Sequence, residues 1–494
     1  MHIEIRMHDG WQPKTDTIGC VRLIWMPHCD IYKFARVARW CTLMCAEKRG
    51  RAMTTTDDSP DVTGAHNTGA RNLASPILDA FETIAAKGGD PKEIAGKQFQ
   101  FIMEQIRGNA LPFFTELRDN RPILQIPMAT LVAQFRDVEE ILHREQVFSV
   151  SPYLPRMMGV IGPFVLSQDI TPSYDHDISV MRLVVRREDL PQVKDIISRH
   201  AAEIIRELFQ GRGPVDIVQT LTRKVPVRLA DEYFGFSAPH DEQMMAWARS
   251  CFREFFINLL DNPEIRAPAV AAGAEMRERL DALLAERLAS DDEGKDDVMG
   301  RLLRLQRAGD VAGLDNDGVC RTLMGLVIGM VETTSQAAVQ ALLVLFSMPD
   351  VLARAAAAAK ADDDDALSDL IFEALRFRPI NPMVARVAKE DYRLGPGERH
   401  QTLIRKGTTV FALTWSAMFD PRVLDAPEEF RPDRPDYHYL HFATGLHACY
   451  GRYISRIQIP QILKPLLKLT GLRPTGAPEF DGTFPEMFRL AADI

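Results

Sequence analysis

Cysteine is scarce in this chain and unevenly placed: seven residues in 494, with Cys20, Cys29, Cys41 and Cys45 crowded near the start. So few thiols in so long a chain do not make a disulfide framework, and point to a reducing, cytoplasmic compartment. No long basic block occurs and the formal net charge is −9, which argues against a nucleic-acid partner. There is no strand followed by Gly-x-Gly-x-x-Gly, hence no dinucleotide or flavin fingerprint within the chain. No clean apolar segment follows a charged start, so no signal peptide is expected. The longest apolar stretch, 325–348, is interrupted by Glu332, Gln336 and the run Thr333, Thr334, Ser335. It reads as a buried core helix rather than a membrane span. Hydrophobic and charged contents of 46% and 26% are ordinary for a soluble globular protein, long enough for one large core or two domains.

Residues 1–52 carry four of the seven cysteines and three of the five tryptophans and show no regular period. They read as an extension outside the core; the cysteine spacings fit no common zinc pattern. Residues 53–75 read as a polar, disordered leader, which leaves 76–494 as the folded domain. Within it the apolar period predicts helices over 76–87, 98–117, 137–144, 174–187, 190–210, 215–235, 240–259, 268–288, 321–348, 367–377 and 450–469. Asp137 is expected near an N-cap. A β-hairpin is expected over 122–135, strands at 392–394 and 408–412, extended chain over 379–386, and a closing hairpin over 471–494. The stretch 148–162 reads as a Pro/Gly-rich loop, and 290–297 as a charged one.

What the chain does have is the segment 442–451, Phe-Ala-Thr-Gly-Leu-His-Ala-Cys-Tyr-Gly. It sets Cys449 in a glycine-punctuated loop just before a helix. N–H groups at a helix start stabilise an anionic sulfur. Gly445 and Gly451 let the backbone turn tightly beside something flat, and Phe442 is placed to keep water off the sulfur. A shielded thiolate is the ligand that pushes electron density through a haem iron toward bound oxygen. Taken alone, a buried cysteine beside a turn is the commoner meaning of such a segment.

Phe442, Gly445, His447, Cys449 and Gly451 together resemble the haem-binding signature of the cytochrome P-450 family. The resemblance extends over roughly residues 100–490, with the landmarks in order. It implies a mostly α-helical domain with small β-sheets near one edge. Haem b (iron protoporphyrin IX) would lie between an oxygen-side helix and the helix after the Cys loop, with Cys449 as its metal ligand. On the oxygen side, Gly325, Gly329 and Thr333 share a helix face, a strip on which a flat ring could lie. Thr333 is placed to back-bond to the carbonyl of Gly329. The resemblance makes Glu332 and Thr333 an acid–alcohol pair that relays protons during oxygen activation. It makes Glu373, Arg376 and Arg434 a buried ion network behind the haem, and Arg386 and His447 partners of the haem propionates. His176 and Arg182 are further propionate candidates; a solvated basic helix face is the alternative for that segment. Met330, Ala443 and Ser455 depart from the family pattern.

The activity implied is insertion of one oxygen atom from O2 into an apolar small molecule, with electrons from a ferredoxin-like donor and its reductase. Arg452, Arg456, Lys464 and Lys468 are candidates for the docking patch. Phe484 and Met487 are placed to reach the substrate pocket. Two other readings stay open: a haem-thiolate enzyme driven by peroxide or rearranging a hydroperoxide, and a non-catalytic haem or gas-binding protein.

Overall fold

The helix Asn316–Ser347 is the axis of the structure. It begins where the Asp315 side chain accepts the N–H of Gly318, a cap that satisfies one of the free donors of the first turn. It is long and apolar enough to cross a membrane, but most of its apolar stretch is buried inside the protein. Its neighbours include helices Asp241–Phe252, Pro263–Ala289, Asp364–Phe377 and Arg452–Leu467. The computed structural model describes residues 75–493 except 212, 259–260 and 291–294. The extension expected over 1–75 therefore lies, Ser75 apart, outside the described residues. About 60% of the described residues are helical, as expected for this mostly α fold with small sheets.

The largest sheet runs in the order Ile123–Ile126, Ala129–Val132, Thr409–Ala412, Val384–Ala388, Phe148–Ser149. Ala129–Val132 and Thr409–Ala412 pair in parallel, with Thr130 opposite Val410; the other pairs are antiparallel. The sheet has its own apolar cluster, which includes Val132, Phe135, Phe148 and Val410. The register that sets Arg386 opposite Val410 holds Arg386 buried.

Several boundaries differ from the sequence expectation, each for a reason that lies far along the chain or in one side chain. The helix expected over 98–117 is two helices, Pro91–Gly108 and Ala110–Asn120. Asn109 interrupts them, its amide bonded back to the Gln105 side chain. The helix expected from Asp137 begins at Phe135, because Asp420 accepts the Phe135 N–H at 2.9 Å. Asp137 bonds to His400 instead. The segment 215–235 is not one helix. Asp216 accepts from Val218 N and Phe488 N, which fixes a short strand, and a π-turn, Val218–Thr222, precedes the helix Lys224–Glu232. Pro263 opens a helix five residues earlier than expected, with Asn262 as its cap. The closing hairpin is split: Glu479–Asp481 pairs with Phe484–Met487, while Arg489–Asp493 joins Thr470–Pro474 and Val215–Asp216. The loop 148–162 holds a short strand, a turn at Ser151–Tyr153 and a small helix, Leu154–Met158.

Candidate active site

The loop before Arg452–Leu467 is closed by its own backbone. Cys449 N–H donates to Phe442 O at 2.8 Å, and Ala448 N–H to Gly445 O at 3.3 Å. Gly445 has φ +80, and a Cβ there would sit 2.1 Å from Leu142 O, so only glycine fits. Gly445→Ala is expected to destabilise the protein by about 2 kcal/mol or more through backbone strain and collision; a urea titration checks this. Ala443 holds φ +52, a conformation glycine adopts freely. Ala443→Gly is therefore expected to be neutral or to stabilise by up to about 1 kcal/mol in the same titration.

The backbone N–H groups of Gly451 and Arg452 face the Cys449 sulfur and favour the thiolate, but burial outweighs them and pushes the thiol pKa up. Cys449 has accessible surface although protein surrounds it on every side. The two facts agree when its surface borders an internal void.

The central helix has an opening of its own. Gly329 is exposed in the middle of a buried helix, and a Cβ on it would meet nothing within 4 Å. Thr333 Oγ1 donates to Gly329 O at 2.7 Å and approaches Met330 O at 3.2 Å. The expected strip of small residues is shorter than the sequence suggests: Phe164 covers Gly325, where a Cβ would lie 2.5 Å from the ring. Met330 is buried. Glu332 is fully buried and paired with Arg223, Nε to Oε1 at 3.0 Å. Burial raises its pKa and Arg223 opposes the rise. Its carboxylate makes no bond to Thr333.

Three nitrogen-bearing side chains lie around the Cys loop. Arg386 is buried and donates only to its neighbour's carbonyl, Ala385 O; burial lowers its pKa. His447 packs edge-on to Tyr174, centroids 5.2 Å apart. Burial, helped by Arg386, lowers its pKa to about 4. Its Nε2 is buried without a partner, as is Nε2 of His176, whose Nδ1 meets Asp177 at 3.0 Å. His176 and Arg182 share helix Pro172–Val184, which reaches the Cys loop through Tyr174 OH to Leu446 O and Tyr450 OH to Met181 O. Arg182 is exposed, so of the two it is His176 that offers a buried, unpaired donor.

Behind the loop, Glu373 and Arg376 are fully buried. Arg376 Nε and Nη2 hold the two Glu373 oxygens at 3.0 and 2.7 Å, and its remaining donors reach Met418 O, Pro427 O and Glu429 O. Arg434 Nε lies 3.5 Å from Glu373 and its Nη atoms bond to Asp425 O and Ala426 O. Arg431 N–H and Tyr439 OH, both at 2.8 Å, complete the shell of Glu373.

The profile of the family described as Cytochrome P450 matches residues 240–470, across the central helix, the ion network and the Cys loop. The chain belongs to the cytochrome P450 family. It is 26% identical over 368 residues to a putative cytochrome P450, YjiB, of Bacillus subtilis, covering 72% of this chain and 86% of that one. It is 24% identical over 366 residues to a beta-dihydromenaquinone-9 omega-hydroxylase of Mycobacterium tuberculosis, with 73% and 71% covered. The crystal structure of CalO2 has the same fold, with TM-score 0.68 and 22% identity, covering 79% of this chain and 97% of that one.

A cytochrome P450 is a haem-thiolate monooxygenase, and the residues here fit that cofactor. Cys449 has free surface at its sulfur and Gly329 has open space beside its Cα, as residues that would approach a flat ring need. The unpaired Nε2 atoms of His176 and His447 and the buried guanidinium of Arg386 are groups that buried carboxylates require as partners. Tyr153, in the loop 148–162, accepts through its OH from Ala385 N. Sequence reasoning missed two residues next to the site residues. Tyr439 binds the network acid. Arg223, the partner of Glu332, was visible as a lone cation pair with Lys224 in an apolar run. Phe484, expected to reach the pocket, packs beside Arg249 and edge-on to Phe252. The expected docking patch also changes. Arg456 pairs with Asp436, Lys464 with Asp362 and Asp364, and Lys468 with Asp362, so these three cations are neutralised. Arg452 and Arg187 flank the Tyr453 ring at 4.7 and 4.0 Å and have no acidic partner among the described residues.

Proposed function

We propose that this P450 inserts one oxygen atom from O2 into an apolar small molecule in the cytoplasm, using electrons from a separate ferredoxin-like protein. The observations that carry the reading are the free surface at the Cys449 sulfur and the open space at Gly329, one turn before Thr333. Cys449 is the proposed iron ligand, and Phe442, Gly445 and Gly451 shape its loop. Gly329 is the close-approach position on the oxygen side. Arg386, His447 and His176 hold the propionates of haem b; Arg182 joins them only by turning inward from the surface. When bound, the haem supplies oxygen activation. Thr333 is held by Gly329 O with its oxygen lone pairs available to accept a proton donor, and Glu332 is the buried acid one residue before it. Glu332 takes part in proton transfer only by leaving Arg223, and its raised pKa favours the protonated form that does so. Glu373, Arg376 and Arg434 hold the loop rather than touch substrate.

The proposed donor surface is the end of the Cys-loop helix at Arg452 and Arg187, where unpaired positive charge steers an acidic partner. The test is turnover with a surrogate ferredoxin and reductase under isotopically labelled O2. One labelled oxygen in the product is expected; turnover with peroxide alone, or unlabelled product, contradicts the proposal. Thr333→Ala is expected to retain substrate binding while diverting electrons to hydrogen peroxide, on the order of tenfold more per turnover. Peroxide release against product measures it.

A further inference from the structure

The segment 148–168 holds a single charged side chain, Arg156. On either side of it the segment is tied to the site. Before it, Tyr153 OH accepts Ala385 N–H at 3.2 Å, one residue from Arg386. After it, Phe164 lies on Gly325, one turn before Gly329 on the central helix. Arg156 itself is half-buried on the small helix Leu154–Met158, which packs on the π-turn Arg253–Ile257. Its Nη1 donates to Phe255 O at 3.2 Å. No carboxylate lies within ion-pair distance of it among the described residues. The other cations of this region are matched: Arg249 and Arg253 with Asp481, and Arg266 with Glu254 and Asp261. Glu254, the buried acid of the same π-turn, is committed to Asn258 Nδ2 at 2.6 Å as well as to Arg266. Burial lowers the Arg156 pKa, as it does for a cation partly stripped of water.

Apolar groups surround this cation. Met158, Ile257 and Val270 stand 53%, 40% and 39% exposed. A Cβ on Gly159 would lie 3.8 Å from Val270, and Val160 fills the notch at Gly273, so the rim is continuous. On the buried side Tyr153 packs on Phe256 and Phe256 on Phe252, with centroids 5.9 and 4.6 Å apart. The donors of Arg156 that Phe255 does not use form a planar fork that matches a carboxylate. A half-buried cation with no acid of its own gains most from an anion that brings an apolar body to the same surroundings.

We propose that Arg156 is a specificity-determining residue that binds the carboxylate of the substrate, an apolar carboxylic acid whose hydrocarbon part packs along Tyr153 and Phe256. This narrows the substrate class and rests on the reading above, in which the chain oxidises an apolar molecule.

The test compares two acid–alcohol pairs on the haem-loaded, unmodified protein: dodecanoic acid with dodecanol, and naphthylacetic acid with naphthylethanol. Equilibrium dialysis and the substrate-induced shift of the Soret band give the dissociation constants. In at least one pair the acid is expected to bind about tenfold tighter than its alcohol. The pair that shows it tells a flexible-chain acid from an aromatic one. Arg156→Gln is expected to abolish that advantage and to leave the affinity for the alcohol within about twofold. Acids that bind no tighter than their alcohols overturn the proposal, as does an advantage that survives the substitution. Equal weakening of acid and alcohol overturns it too, because Arg156 would then serve only to brace 154–158 against 253–257. If the variant does not fold, a crystal structure of the unmodified protein with the tighter acid decides: a carboxylate within hydrogen-bond distance of Arg156 is expected, and one bound elsewhere overturns the proposal. Dialysis needs no thiolate ligand, so an absent red-shifted carbon monoxide band would remove the underlying reading while leaving these affinities measurable.

Discussion

Glu373→Ala is expected to yield a protein that no longer keeps its Cys loop folded. The substitution strands Arg376, fully buried, and Arg434, nearly so, without their shared anion. Breaking a buried pair by removing one partner costs about 3–5 kcal/mol, because the remaining charge is uncompensated. That is a large part of the roughly 5–15 kcal/mol that holds a domain together. Here the same carboxylate also accepts from Arg431 N and Tyr439 OH, so the meander and the approach to the Cys loop lose an anchor together. Arg376→Lys is expected to fail similarly. A lysine places one compact charge and cannot reach the carboxylate and three carbonyls that the guanidinium fork reaches. Chemical denaturation of each variant, with haem content measured alongside, checks this. A shift below about 1 kcal/mol would mean that the pair behaves as an exposed one.

Cys449→Ala is expected to abolish thiolate ligation while leaving the fold largely intact. The side chain faces an opening rather than packed core, so truncation leaves little new cavity. The loop itself is closed by the backbone bond from Cys449 N to Phe442 O and by Gly445, neither of which needs the sulfur. The expected result is a protein with near-unchanged melting behaviour and no thiolate-type reduced carbon monoxide spectrum. Persistence of that spectrum would mean that another residue supplies the ligand.

The two parts of the site that the sequence displays best are short and local. Residues 442–451 encode a turn, a thiol and a helix start in one run, and Glu373 and Arg376 stand on adjacent turns of one helix; both arrangements have the local form their spacing implies. The long central helix was legible from its apolar period, and Thr333 bonds back to Gly329 as its hydroxyl and spacing suggest. What was not legible depends on partners far along the chain. The start of the helix at Phe135 is set by Asp420. The π-turn at Val218–Thr222 sits where Thr222 meets Ser335 and Asp216 meets Phe488. Phe164 covers Gly325 from a loop that has no period at all. The charge of the docking patch is a related case: sequence shows where cations are, but not that Asp362, Asp364 and Asp436 fold back onto them.

The most direct test of the central claim is the absorption spectrum of the purified, unmodified protein, reduced and saturated with carbon monoxide. A strongly red-shifted Soret band is the result that a thiolate at Cys449 requires. A Soret band typical of histidine-ligated haem, or no haem at all, would contradict the assignment of Cys449 and everything built upon it.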